Sequence, residues 1–291
     1  MRKIKKYHSP LQRIQYSKLY RFPLWLFYKL IHSDPSPEVG YKKKMRLGHN
    51  MRIRPTQPYL KNILFSGQYH DENIFMASQF LKPGSVILDI GANIGLYACA
   101  YAQVYKDLKP TVFAIEALKN NFLQLQDNIS RNNFSNILPF NLAMGNKAGT
   151  LTITLPSEDF VGNAVGDNIN TNSGEGIKSE VPMVTLDSFT SEHKIDACDF
   201  IKIDIEGAEY FVFEGGMNFL KKTRPVIQTE YNRHWVENIG KSFSDFYKLF
   251  NELDYLIAIE KDESFELLEA PEAFEVNEDL LDFLFIPKEK L

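Results

Sequence analysis

Within Val86-Ile-Leu-Asp-Ile-Gly-Ala-Asn-Ile-Gly95 the polar and turn-forming residues fall in a fixed rhythm, Asp89-x-Gly91-x-Asn93-x-Gly95. The stretch follows an apolar run and opens a helix-spaced one, the place where a doubly wound sheet binds ligands beyond its strand ends. Gly91 lets the backbone turn and lets a ligand approach, and Gly95 permits close packing of helix on strand. The spacing departs from the dinucleotide fingerprint Gly-x-Gly-x-x-Gly, in which helix-end amides meet a pyrophosphate. Asn93 stands where its second glycine belongs. A carboxylate beside the turn repels a pyrophosphate but suits the cationic ammonium end of S-adenosylmethionine. Glu116, 21 residues beyond Gly95, closes the next apolar run. An acid there accepts hydrogen bonds from both hydroxyls of a ribose. Gly91, Ala92, Asn93 and Gly95 with Asp89 and Glu116 form the expected cofactor seat, and Ala143 in the turn Leu142–Gly145 is placed to flank an adenine.

A second constellation supplies acid–base chemistry. Transfer of a methyl group from a sulfonium needs alignment and exclusion of water, because the donor is already activated. A hydroxyl acceptor also needs a base for its proton, or a metal that lowers its pKa. Asp204 ends an apolar run, where an aspartate bears a desolvation cost unless it is bonded or functional. It is the expected base, or the ligand of a lone divalent ion held together with substrate. Glu230 and His234 arrive at the end of a later run. Glu230 is read as orienting an acceptor hydroxyl or pairing with Arg233, and His234, with an ordinary pKa near ~6.5, as a second base. Glu209 is explained by favourable charge at a helix start. His70 and Glu72, ahead of the first strand, sit where a lid forms. No His or carboxylate cluster has the tight spacing of a dedicated metal site.

The elements that must position these residues alternate. Apolar strands at Ser85–Ile90, Thr111–Ile115, Ile137–Leu142, Asp199–Ile205 and Pro225–Glu230 are interleaved with helices at Ile94–Tyr105, Lys119–Asn132 and Ala208–Leu220. Short continuous apolar runs between helices of this length mark βαβ units and a buried parallel sheet. A helix over Ser242–Glu252 precedes a final strand pair, Tyr255–Ile259 and Asp282–Ile286. Gly149–Leu155 alternates as a half-exposed strand, Gly162–Gly176 reads as a long loop, and Glu72–Leu81 has helical spacing before the first strand.

The segments Leu88–Gly95, Asn141-Leu-Ala-Met-Gly145 and Asp199-Phe-Ile-Lys-Ile-Asp-Ile-Glu-Gly-Ala-Glu209 resemble the FkbM family of methyltransferases, as does the lead-in Phe65–Glu72. The resemblance covers roughly residues 60–260. It implies a Rossmann-like class I methyltransferase fold, a doubly wound, mostly parallel seven-stranded sheet with an antiparallel edge hairpin. It also implies S-adenosylmethionine as cofactor and O-methylation of a hydroxyl on a sugar, glycan or other secondary metabolite. Residues 1–58 are then a basic, partly helical extension, and residues 59–291 the methyltransferase domain.

The net charge of -4 hides an asymmetry: fourteen Lys or Arg precede residue 55 against two acids, Asp34 and Glu38. A basic arm before an acidic body points to an anionic partner. Its apolar run Phe22–Ile31 is too short to span a bilayer, which takes ~20 residues. It packs on the body as an amphipathic helix, or lies flat on an anionic membrane surface. Cys99 and Cys198 sit in apolar runs, as reduced core thiols of a cytoplasmic protein do; the arm would then meet the inner membrane surface. Two other classes are weighed. A nicotinamide enzyme would also use Glu116, but Asp89 and Asn93 argue against it. An RNA or DNA methyltransferase would use the arm for phosphate contacts, but the acidic body lacks a basic groove and no Asn-Pro-Pro-Tyr-like motif follows the fourth strand.

Overall fold

The computed structural model describes residues 40–291 apart from 159, 164–165, 167–175, 262–263, 275 and 277–279. The basic arm with its Phe22–Ile31 run, and most of the Gly162–Gly176 loop, fall outside the described residues. A compact body runs from Tyr41 to Leu291. It therefore takes in residues 41–58, which were expected to belong to the extension. Among the described residues no helix is long and apolar enough to cross a membrane.

Those residues form a hairpin of β1 (Tyr41–Lys44) and β2 (Asn50–Ile53), followed by helices α1 (Pro58–Ser66) and α2 (Asp71–Ala77). The parallel part of the fold then begins with β3 (Val86–Ile90), α3 (Leu96–Val104), β4 (Thr111–Ile115), α4 (Lys119–Arg131) and β5 (Ile137–Phe140). The Asn-rich end of α4 reads in the sequence as a helix terminus. In the structure its amides act as a partner strand for the hairpin. Asn128 Oδ1 accepts the Arg52 N–H at 2.6 Å and Asn132 Oδ1 accepts the Asn50 N–H at 2.7 Å, while Gln124 donates to the Arg52 carbonyl at 2.7 Å. Met51 and Ile53 are buried by this docking. Backbone groups left open by a two-stranded hairpin are thereby satisfied.

A small sheet interrupts the alternation. β6 (Ala143–Gly145) pairs parallel with β8 (Ile177–Thr185), and β7 (Gly149–Leu155) pairs antiparallel with it. The alternation along β7 buries Ile153 and Leu155 against Val181. Helix α5 (Leu186–Glu192) follows, capped by Thr185, whose side chain accepts from the Ser188 amide. After β9 (Phe200–Ile203), the single helix expected over Ala208–Leu220 is two, α6 (Glu209–Glu214) and α7 (Met217–Thr223). The break is at Gly215-Gly216. A Cβ on Gly215 would overlap the Gly145 carbonyl, and one on Gly216 would meet Leu186 Cδ2 at 2.6 Å. Glycine thus lets the helix pair close on β6 and α5.

The chain ends with β10 (Val226–Asn232), α8 (Arg233–Asn238), α9 (Phe243–Glu252), β11 (Tyr255–Lys261), β12 (Ser264–Leu267) and β13 (Leu280–Pro287). Asp245 accepts from the Ser242 amide at 2.8 Å and fixes the start of α9. The main sheet has the order β12-β11-β13-β10-β9-β3-β4-β5. From β10 to β5 neighbours are parallel, and β13 runs antiparallel between β10 and β11. The expected seven strands are there, with β12 added as an eighth at the edge. The chain moves outward from β3 through β4 to β5 and then returns to the other side of β3 with β9. That reversal opens a crevice beyond the carboxyl ends of β3 and β9, where such sheets bind ligands. Both cysteines are free and buried, Cys99 in α3 and Cys198 just ahead of β9.

Asn128 is fully buried, donates to the Ile94 carbonyl at 2.9 Å and holds β2. Replacing it by alanine leaves buried backbone groups unpaired, at a cost of about 2 kcal/mol. Asn128→Ala is expected to lower the thermal midpoint and to speed amide exchange at Arg52; unchanged exchange there would show that the hairpin is held some other way.

Candidate active site

A cavity of about 700 Å³ occupies the switch-point crevice. Its walls include Gly91, Ala92, Asn93, Glu116 and Ala143 of the expected cofactor seat, and Asp204 across from them. Gly91 has φ +84°, and a Cβ there would overlap the Asp204 carbonyl oxygen. The close approach that demands glycine is therefore made by the protein's own backbone. The Asp204 amide completes the crossing by donating to the Ile90 carbonyl at 3.0 Å. Gly95, φ +90°, stands outside the cavity; a Cβ would lie 2.7 Å from Leu125 Cδ1, so it seats α3 against α4.

Glu116 is buried at the end of β4. One carboxylate oxygen accepts the Asn93 N–H at 2.8 Å, and the other accepts the Leu118 N–H at 2.8 Å and Asn121 Nδ2 at 3.2 Å. A carboxylate has about four acceptor positions, so capacity is left toward the cavity. Burial pushes its carboxyl up to about 7 against these hydrogen bonds. Asn141, in the segment shared with the family, donates to the Glu116 and Ala117 carbonyls, both at 2.9 Å, tying the end of β5 to β4. Leu142, Met144, Met183 and Phe211 add an apolar wall beside Ala143.

Asp89 does not reach the cavity. It lies in register with Lys202 beneath the turn, 2% exposed, and its Oδ2 has no hydrogen-bond partner among the described residues. Burial pushes it up to about 7 although Lys202 pulls the other way. The expected contact of Asp89 with a cationic cofactor end is thus replaced, in geometry, by the carboxylates across the cavity. Asp204 is joined there by Glu206, which the sequence placed nearby without assigning a role. Glu206 takes φ 57° in the turn after β9. Its carboxyl is pushed up to about 7 by burial and by Asp204, and Asn163 Nδ2 donates to it at 2.5 Å. Glu209 is a clamp: its Oε1 accepts the Ile205 N–H at 2.8 Å and the Gly207 N–H at 3.3 Å, holding this turn, so the explanation by helix-start charge falls short. A Cβ on Gly207 would overlap Trp235 Cβ, which packs the same turn against α8.

Several site residues had no signal in one sequence. Asn163 Oδ1 accepts from Tyr59 OH at 3.0 Å and Asn93 Nδ2 at 2.9 Å, so one amide joins α1, the glycine turn and Glu206. Asn121 exchanges hydrogen bonds with Gly162, holding the 161–163 segment over Glu116. Tyr69, between α1 and α2, lines the cavity where His70 and Glu72 were expected to form a lid. Lys202 is 2% exposed with Nζ 3.9 Å from Asp204 Oδ2. Burial alone would lower its ammonium, but Asp204, Asp282, Glu230 and Asp89 together hold it above the ordinary value. A polar residue inside an otherwise apolar strand was the available clue.

His234 stands apart. It lies exposed on α8, with its ring against Trp235 and Nε2 3.3 Å from Asn238 Nδ2, because the chain turns away from the crevice after Asn232. Glu230 is off the cavity wall but close enough to feel Asp204 and Lys202. Arg233 pairs with Glu237 at 2.8 Å. No group of three or more His, Cys, Asp or Glu suited to a metal occurs among the described residues, so a divalent ion at Asp204 would find no cluster of protein ligands there.

The Methyltransferase FkbM domain model matches residues 89–257. The 2-O-methyltransferase NoeI of Sinorhizobium fredii is 28% identical over 209 residues, 67% of this chain and 82% of that protein. Among solved structures, an FkbM methyltransferase from Methylobacillus flagellatus is 20% identical with a TM-score of 0.44, matching 70% of this chain and 44% of that longer one. Pyrococcus horikoshii TYW2, solved with MeSAdo, is 15% identical with a TM-score of 0.45, over 95% and 84% of the two chains. The switch-point crevice in a Rossmann-like sheet and the matched domain define a methyltransferase. The chain belongs to the FkbM methyltransferase family.

Asp89, Glu116, Glu206 and Glu209 all titrate near 7 when folded, against 3.8 or 4.5 when free. Between those values the folded protein binds more protons than the unfolded chain, so stability falls as pH rises through the window. The thermal midpoint of the protein alone is expected to decline from about pH 5 to about pH 7.5, and less steeply in Asp89→Asn. A midpoint that climbs over this range would contradict the burial of these acids.

Proposed function

We propose that the enzyme transfers the methyl group of S-adenosylmethionine to a hydroxyl of a sugar, glycan or related secondary metabolite. The observation that carries the reading is that a single cavity joins a nucleoside-type seat at Glu116 to the carboxylates of Asp204 and Glu206. The seat fits the cofactor on its own chemistry. Glu116 retains acceptor capacity for a ribose, Ala143, Met144 and Met183 give an apolar wall for a base, and the facing acids suit a cation. When bound, S-adenosylmethionine supplies an already activated methyl group.

The chain's own residues then have three tasks. Gly91–Asn93 and Glu116 hold the nucleoside end. Tyr59, Tyr69 and the Asn163 network cover the crevice and keep water out. Asp204 takes the proton of the acceptor hydroxyl, with Lys202 at 3.9 Å balancing its charge. The family relative named for 2-O-methylation supports a hydroxyl as acceptor.

Calorimetric titration with S-adenosylhomocysteine is expected to show binding that weakens at least about tenfold in Glu116→Ala, the loss of one charged hydrogen-bonding group. NADH binding in its place would overturn the assignment. Asp204→Asn is expected to lower turnover with a hydroxyl acceptor by about 10²-fold or more at saturating S-adenosylmethionine. Full turnover in that variant would remove Asp204 as the base.

A further inference from the structure

Beyond the cofactor seat, one face of the sheet carries far more charge than a packed core tolerates. Lys202 on β9 is in register with Asp89 on β3 and Gln228 on β10. Two residues further along, Asp204 follows β9, and Glu230 on β10 sits directly opposite Asp282 on β13. Because side chains alternate along strands, Lys202, Asp204, Gln228, Glu230 and Asp282 share this face. Glu260 of β11 joins them, its Oε2 accepting from Gln228 Nε2 at 2.8 Å. Tyrosines pack at the Lys202 end of the face: the Lys202 ammonium lies 5.2 Å from the Tyr97 ring centroid, and Tyr69 stands edge-on to Tyr97 at 5.5 Å.

Like charges directly opposite each other on paired strands cost stability. Burial and Asp204 push the Glu230 carboxyl upward, and burial and Asp282 push Glu260 up to about 8. Lys202 is the one cation of the group. Below the carboxylates, Gln228 is completely buried, yet its Oε1 has no hydrogen-bond partner among the described residues, and neither has Glu260 Oε1. The face is thus rich in hydrogen-bond acceptors and short of donors. Asp204 belongs both to this face and to the cofactor cavity, and Tyr69 lines that cavity while feeling the charges of Asp204 and Glu230.

We propose that this face is the acceptor site and that it selects an uncharged, hydroxyl-rich ring, a neutral sugar, against anionic counterparts. The inference rests on the methyltransferase reading above. Hydroxyls supply donors to Asp204, Glu230 and Asp282, and Tyr69 offers a flat wall to an apolar ring face. A phosphate or uronate would bring another negative charge to Asp204, Glu206, Glu230 and Asp282 with, among the described residues of this face, Lys202 alone to offset them. Glu230 and Asp282 are then specificity-determining residues, set back from the reacting atoms.

The test is saturation-transfer NMR and calorimetry on the full chain with S-adenosylhomocysteine present. The probes are a panel of neutral methyl hexosides and 6-deoxyhexosides, with the matching uronic acids and hexose phosphates. At least one neutral glycoside should bind, its charged counterparts at least about tenfold more weakly, and Glu230→Gln and Asp282→Asn should each weaken the neutral ligand about tenfold. Retained S-adenosylhomocysteine affinity in these variants shows that they remain folded. An anionic counterpart binding as well as the neutral one overturns the proposal, as does silence across the neutral panel or unchanged affinity in both variants. Failure of S-adenosylhomocysteine itself to bind would instead remove the functional reading on which the proposal stands.

Discussion

At the centre of the molecule two backbone segments cross so closely that no side chain fits between them. The turn at Gly91 lies against the Asp204 carbonyl, and the Asp204 amide bonds back to Ile90. This contact sets the depth of the crevice and the distance between its two walls. It places the Asn93 amide against Glu116 on one side and delivers Asp204 and Glu206 on the other. Glu209 and Trp235 hold the second segment from behind, so the crossing is braced at both ends. A methyl group at residue 91 would have to displace main chain, which is far more costly than displacing a flexible side chain.

The electrostatics follow from that geometry. Bringing the ends of β3, β9 and β10 together gathers acids in a region with little access to water, where isolated charges are heavily penalised. Lys202 offsets part of this from inside the sheet, a position where lysine is rarely found. The remaining imbalance raises several carboxyls toward neutrality. Such displaced acids are more frequent at functional sites than elsewhere, and here they cluster on the two sides of the same strand end.

Much of this was legible in the sequence, and the omissions have physical reasons. The parallel strands announced themselves as continuous apolar runs, because a strand covered on both faces has no exposed side to mark with polar residues. Glu116 was found from its interval after the glycine turn, which reflects the fixed length of a βα unit. Asp89 was misplaced because the pattern gives its spacing to the turn, while the alternation of β3 sends its side chain to the face carrying Lys202. His234 was misplaced because nothing in Glu230-Tyr-Asn-Arg-His234 shows the chain turning into α8 after Asn232. Contacts made by residues distant in the chain, Asn163 with Tyr59 or Asn128 with Arg52, leave no local periodicity to read. The hairpin β1–β2 was hidden for the same reason, since its partners are amides on α4.

The two cysteines give the structure an internal clock. Cys99 and Cys198 are both completely buried, with their thiols pushed well above the ordinary range by desolvation. Alkylating reagents attack the thiolate, so neither sulfur reacts while its surroundings stay closed. Cys99 lies under the Gly95 turn, on the crevice side of the sheet, and Cys198 at the entry to β9 beside Val86, at the far end of the strands from the crevice. Their separate labelling rates therefore measure how often each half of the sheet opens, with no probe introduced and no residue changed.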